Sequence, residues 1–269
     1  MTSDVSQDLL TTIDGPIARI TFNRPKARNA VNGAMILKMG EFLQKVALDK
    51  TVRCVVLTGA GEHFMAGGDV AGFAKVLDQS SEERRLDFER RVNNSRAIFQ
   101  AMRTMPQPIV ARVQGACAGA AVGFAASCDF VIASESALFL VAHVNIGASP
   151  DGATSYALPR RIGAARALQM AMLGSKLDAA KALDWGLANK VVPDAELDQV
   201  TEKLVQKIIA LPASSVRNIK NIFNQSLDND LDTQLTLEAK AFGDCAASPN
   251  FIEGVKAFME KRSAVFNQE

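Results

Sequence analysis

VVLTGAGEHFMAGGD, residues 55–69, joins a β-branched apolar run to a small-residue turn and a second glycine pair ahead of an acid. Gly59, Gly61, Gly67 and Gly68 fall within ten residues, and almost no side chain between them is equipped for chemistry. Glycine permits unusual dihedrals and lets main-chain N–H groups approach a ligand closely, so this stretch offers backbone. A cradle of peptide amides for developing negative charge follows from that composition. A tight turn that only packs one element on another is the plainer alternative. A dinucleotide-binding turn is excluded because Phe64 stands where G-x-G-x-x-G needs its third glycine, and no Gly-Lys-Ser/Thr makes a Walker loop.

A second stretch, QPIVARVQGACAGAAVGFAASCD at 107–129, repeats the pattern of apolar run followed by tiny residues. Gly115, Gly119 and Gly123 are spaced four apart, which predicts a helix starting near Ala118 with one smooth face. Such a helix either packs very closely on its neighbours or presents its first N–H groups openly.

Strand-like runs at Ile17–Phe22, 54–58, Ile109–Val113, 130–133 and Lys190–Val192 are separated by stretches of helical periodicity. Between the first two, Met35, Leu37, Met39, Phe42, Leu43 and Val46 form an apolar helix face, with Asn29 and Asn32 as candidate caps. Alternation of this kind predicts an α/β fold with largely parallel pairing. Residues 82–103 read as a charged amphipathic helix bordering whatever the Gly67–Asp69 turn binds. From Leu197 onward the pattern is helical, which divides the chain into an α/β catalytic core at 1–196 and a C-terminal helical segment at 197–269. That segment either packs on the core or reaches into a partner subunit.

Thirty basic against twenty-nine acidic side chains leave a net charge of +1, which provides no electrostatic footprint for nucleic acid or an anionic membrane. Cys54, Cys117, Cys128 and Cys245 show no C-x-x-C spacing and read as buried free thiols of a reducing compartment. With only two histidines, His63 and His143, no metal ligand set is evident. The acidic N-terminus resembles neither a secretory nor a transit signal, no eighteen-residue apolar window occurs, and the C-terminal NQE is no peroxisomal address. A cytoplasmic protein is the expectation.

ITFNRPKARNAVN at 20–32, VVLTGAGEHFMAGGDV at 55–70, QGACAGAAVGFAASCDF at 114–130, IGASPDGATSYALPRRIG at 146–163 and AFMEKR at 257–262 together resemble the crotonase superfamily of enoyl-CoA hydratases and isomerases. The resemblance runs in the same order over nearly the whole chain. It implies a crotonase-like spiral of β-β-α turns with a C-terminal helical trimerisation segment, assembly as a homotrimer or homohexamer, and an acyl-CoA thioester substrate. No separate cofactor is implied, because coenzyme A is part of the substrate. Carried over by position, Gly68 and Ala120 supply the N–H groups of an oxyanion hole. Lys26, Ala27 and Arg28 match the loop near the pantetheine and phosphates, Ala66 and Asp69 the loop around the adenine, and Phe242, Phe258 and Lys261 the C-terminal contacts. Asp69 also suits a cap on the helix that follows it.

The resemblance bears on the reaction as well. Hydratases of the family hold a water between two glutamates, and those positions here carry Gly123 and His143. Asp151, eight residues past His143, stands where several isomerases keep their catalytic carboxylate, and SPDGATSYALPR is similar to the Δ3-Δ2-enoyl-CoA and ring-epoxide or oxepin isomerase branches. One carboxylate suffices to move a double bond. The expected activity is therefore isomerisation of an enoyl-CoA, with Asp151 as base and His143 either assisting or filling the wall. Alternatives are a hydratase using His143 and Asp151, a thioesterase, and a non-catalytic acyl-CoA-binding protein. Asp151 equally suits the start of a helix, where an acid gains from the dipole.

Overall fold

A computed structural model describes residues 5–266. Its main sheet has six strands in the order β1 (Leu9–Asp14), β2 (Ile17–Phe22), β3 (Cys54–Gly59), β4 (Ile109–Val113), β6 (Phe130–Ser134) and β9 (Lys190–Val192). β1 and β2 form an antiparallel hairpin, and every later neighbour is parallel. The five strands read from sequence are thus present, and β1 is an addition. Strands inside a parallel sheet are covered on both faces, which is why β3, β4 and β6 are almost continuously buried. Val55, Leu57, Ala111 and Val131 face the larger core beneath α2 (Gly33–Leu48), while Cys54, Val56, Val110 and Ile132 face α10 (Leu197–Ile209) through Leu197, Val205 and Ile208. The helical segment expected from residue 197 therefore opens with a helix that belongs to the core.

Helix α2 starts where Asn32 accepts a hydrogen bond from the Met35 N–H at 3.0 Å, a side-chain N-cap. It buries Met35, Met39, Leu43 and Val46, whereas Leu37 of the anticipated face points outward. A short second sheet, β5 (Ala116–Ala118), β7 (Leu138–Leu140) and β8 (Lys176–Asp178), lies apart from the first. These strands are three residues long, too short for periodicity to register. The chain runs β4–β5–α6 (Ala120–Ser127) and then β6–β7–α7 (Thr154–Ile162), two successive β-β-α turns of the expected spiral.

The remaining helices are α1 (Val5–Asp8), α3 (Val70–Phe73), α4 (Ser81–Asn94), α5 (Arg96–Thr104), α8 (Ala164–Leu173), α9 (Ala179–Asp184), α11 (Ala213–Gln225), α12 (Leu231–Ala246) and α13 (Pro249–Glu260). The charged helix anticipated over 82–103 is two, broken at Ser95, whose hydroxyl donates to the Val92 carbonyl at 2.8 Å. Lys220 fastens α11 to the core: its buried ammonium donates to Asp129 Oδ2 at 2.8 Å and to the Gln107 carbonyl at 2.9 Å. Beyond it, α12 packs mainly on α11 and α13 on α12, and Leu235, Phe242, Ile252, Phe258 and Met259 stay exposed. No helix of the described residues is long and apolar enough to cross a membrane. All four cysteines are free thiols. Burial pushes the Cys54 and Cys128 thiols up to about 12 and Cys117 well above its ordinary value, so these three stay protonated and unreactive.

Candidate active site

Two loops zip together at the candidate site. The Ala66 N–H donates to the Arg28 carbonyl at 2.9 Å, the Val31 N–H to Gly67 at 2.8 Å, and the Asp69 N–H to Val31 at 3.0 Å. Asn29 clamps them. It is buried at a φ of 60°, a left-handed conformation that Asn tolerates better than most residues, and it is no helix cap. Its Oδ1 accepts from the Arg24 N–H at 2.9 Å, and its Nδ2 donates to the carbonyls of Ala60 at 2.9 Å and His63 at 2.6 Å. Arg24 in turn reaches Asp69 at 3.0 Å and Asp8 at 3.6 Å.

Both hydrogen bonds of the parallel bridge between Val31 and Gly68 use the flanking Gly67 carbonyl and Asp69 N–H. In a parallel pairing the bridged residue's own groups then point to the opposite side, so the Gly68 N–H projects away from Val31. Gly67, at a φ of 82°, brings the loop into backbone contact with the start of α6. A Cβ there would stand 2.9 Å from the Ala118 carbonyl oxygen and 3.4 Å from the Ala120 nitrogen. Helix α6 begins at Ala120, two residues later than anticipated, and Gly115 lies outside it ahead of β5. Gly119 is the N-cap, and its own N–H donates to Leu140 at 2.8 Å. The Ala120 N–H is a first-turn donor without an intrahelical acceptor. Among the described residues neither the Gly68 nor the Ala120 amide has a hydrogen-bond acceptor. The two donors that the resemblance implies thus lie on segments in direct contact.

The segment before α7 lies on α6. A Cβ on Gly123 would overlap the Gly152 carbonyl oxygen and stand 2.7 Å from Thr154 Oγ1, and one on Gly152 would stand 2.9 Å from the Ala120 Cβ. Asp151 is therefore adjacent in chain to a residue that touches Ala120. The N-cap of α7 is Ala153, so Asp151 does not cap that helix. Its Oδ1 lies 2.9 Å from His143 Nε2, and Oδ2 has no protein partner among the described residues. His143 comes from the 3-10 turn Ala142–Ile146 that follows β7. Sequence reasoning names His143 as a candidate assistant to Asp151 but not the hydrogen bond between them, and it misses the covering of Gly123 by Gly152, because neither contact leaves a periodic or compositional trace.

The packing at Gly123 makes a prediction. Gly123→Ala must displace the Gly152 carbonyl, and overpacking of this kind costs about 1–3 kcal/mol. Urea unfolding should show a lowered midpoint at unchanged slope. Gly123→Glu, which restores a hydratase acid in sequence, should unfold still more easily without gaining hydration of a 2-enoyl-CoA.

Lys26 and Ala27 stand on the exposed 3-10 turn Pro25–Ala27, and Arg28 follows it at a φ of 49°, hydrogen-bonded through its carbonyl to Ala66. Asp69 caps α3, accepting from the Gly72 N–H at 3.2 Å, and pairs with Arg24, so its carboxylate is already engaged by the protein. Phe242 meets Phe251 edge-on at 6.1 Å, Phe258 lines a shallow hollow with Pro212 and Phe266, and Lys261 ends α13 at a φ of 51°. These three lie on the C-terminal helices rather than against the zipped loops. A cavity of about 700 Å³ opens beside Ala153 and Tyr156, walled by Phe99, Ala157, Ile219 and Phe223.

Residues 12–269 match the family described as Enoyl-CoA hydratase/isomerase. The chain is 34% identical to 1,2-epoxyphenylacetyl-CoA isomerase of Escherichia coli (strain K12) over 258 residues, covering 96% of this chain and 97% of the relative. It is 32% identical to a short-chain-enoyl-CoA hydratase of Clostridium acetobutylicum over 250 residues, covering 93% of each. The crystal structure of an enoyl-CoA hydratase from Polaromonas sp. JS666 superposes with a TM-score of 0.87 at 30% identity, covering 96% of this chain and 99% of that one. With this breadth of match and a shared spiral fold, the chain belongs to the enoyl-CoA hydratase/isomerase family of the crotonase superfamily.

Proposed function

We propose that this protein isomerises an enoyl-CoA, moving a C=C bond from the 3- to the 2-position or carrying out a related shift, with Asp151 as the only acid–base group. The observation that carries this reading is the Gly152 carbonyl packed over Gly123, which leaves no room for a carboxylate side chain at that position. The relatives' names include both isomerases and hydratases, so family membership alone does not choose between them.

In the proposed reaction the thioester oxygen accepts hydrogen bonds from the Gly68 and Ala120 amides, which stabilises negative charge on that oxygen and makes the α-carbon acidic. Asp151 Oδ2 takes the α-proton, and the C–H electron pair passes into a dienolate. The γ-carbon then takes the proton back from the Asp151 carboxylic acid as the new double bond settles between the α- and β-carbons. One proton leaves and returns through one carboxyl group, and no water is consumed. Lys26 and Arg28 offer the coenzyme's phosphates local positive charge. The exposed apolar side chains of α12 and α13 suit burial in a homotrimer or homohexamer.

A panel of CoA thioesters separated by chromatography and weighed by mass spectrometry tests the reading. Conversion of a 3-enoyl-CoA at unchanged mass supports it. Faster addition of one water to a 2-enoyl-CoA, release of free thiol, or binding without turnover would establish the hydratase, thioesterase or binding-protein alternative instead.

A further inference from the structure

We infer that His143 is a positioning residue: its imidazole holds Asp151 Oδ1 so that Oδ2 alone faces the substrate as the proton-shuttling oxygen. The inference rests on the isomerase reading above and deepens it. The His143 side chain is 10% exposed, against 38% for Asp151, so the ring is the buried, fixed partner and the carboxylate the accessible one. The ring's own anchorage is backbone: the Ala148 N–H donates to the His143 carbonyl at 3.0 Å, and the end of β7 is tied to the α6 cap through the bond from Gly119 to Leu140. One rigid connection therefore runs from the oxyanion donors to the imidazole.

The hydrogen-bond inventory of the ring decides between positioning and filling. Two groups approach Nε2, the Asp151 carboxylate at 2.9 Å and the Asp151 N–H at 3.4 Å, and they make opposite demands on it. The shorter contact to an ionised carboxylate requires an Nε2–H donor, which leaves the longer amide contact unmade. Nδ1 is buried without a partner among the described residues. A proton on Nδ1 would be a buried donor with no acceptor, which again places the ring proton on Nε2. A side chain present only to fill the wall carries no such polar atom at no loss, and Leu or Phe would serve better. The unpartnered Nδ1 is accounted for by what Nε2 does.

Positioning is worth a large factor in rate because small displacements of a base from its target carbon are costly. His143→Leu should lower kcat on a 3-enoyl-CoA about 10- to 100-fold while KM stays within about threefold. His143→Gln, whose amide NH2 reaches the place of Nε2, should recover most of that loss. The assignment is overturned if His143→Leu keeps kcat within about twofold, or if a folded His143→Gln is as impaired as His143→Leu. Nitrogen-15 NMR supplies a readout independent of turnover, since the chain has only His63 and His143. His143 should show the Nε2–H tautomer, and its resonances, unlike those of His63, should move in Asp151→Asn. An Nδ1–H tautomer, or an unmoved His143, overturns the inference. Turnover surviving in Asp151→Asn would sink the isomerase reading itself, whereas a dead Asp151→Asn beside a fully active His143→Leu would sink the positioning role alone.

Discussion

Asp151→Asn is expected to lower kcat for 3-enoyl-CoA isomerisation by about 10³- to 10⁴-fold, with the protein folded and CoA-thioester affinity nearly unchanged. The substitution is close to isosteric, so the segment over α6 keeps its packing. An amide cannot take the α-proton, and the packed Gly123 position offers no second carboxylate. His143, with Nε2 turned to Asp151 and Nδ1 buried, is not placed to substitute. Progress curves for isomer formation, with ligand binding followed separately by calorimetry, separate the two quantities. Turnover within about tenfold of wild type would remove Asp151 from the chemistry and leave the amide cradle without a base.

Ala120→Pro should cost about 10²- to 10³-fold in kcat, or about 3–4 kcal/mol of transition-state stabilisation, while leaving unfolding nearly unaltered. Ala120 is the first residue of α6, the one helical position where proline is well tolerated because its missing N–H had no intrahelical acceptor. The preceding Gly119 sits at φ 60° and ψ −132°, the mirror image of the extended conformation that residues before proline prefer, and having no Cβ it escapes the usual clash. The substitution therefore deletes one oxyanion donor with little damage to the helix. The ring also occupies the space of the former N–H, so KM for the thioester should rise. A near wild-type kcat/KM together with an unchanged urea midpoint would show that Ala120 faces no reacting oxygen. Paired with Asp151→Asn, the experiment tests the cradle and the base separately.

Both experiments probe features that differ in how far they could be read in advance. The glycines of 55–69 and 115–123 announced close backbone approach, and at Gly59, Gly115 and Gly123 the plainer packing reason holds as well, since a Cβ there would overlap a neighbouring carbonyl oxygen. The alternation of strand-like runs with stretches of helical periodicity announced the α/β class and its largely parallel pairing for an equally local reason. Asn32 as a cap and the buried thiols of Cys54, Cys117 and Cys128 were legible on the same grounds, whereas Cys245, expected buried, is half-buried. Readings failed where spacing alone had to decide. Gly115 kept helical spacing with Gly119 yet lies before a strand, and the charged run at 82–103 held its period across a break at Ser95. Asn29 looked like a cap and is instead the clamp between two loops.

Composition and short-range pattern were enough to indicate the α/β class and to suggest an amide cradle, since each is a property of residue type and near neighbours; that Gly123 and His143 stand where hydratases keep their acids came only from the family resemblance. The role of Asp151 was undecidable at that level, because Ser-Pro-Asp-Gly serves a helix start as well as a reacting carboxylate. The folded chain removes the helix-cap reading: Ala153 takes the cap, Gly152 lies against Ala120 and Gly123, and the carboxylate meets His143. These are contacts between separate turns of the spiral, and no local periodicity carries information about which surfaces long-range packing will bring within a hydrogen bond of each other.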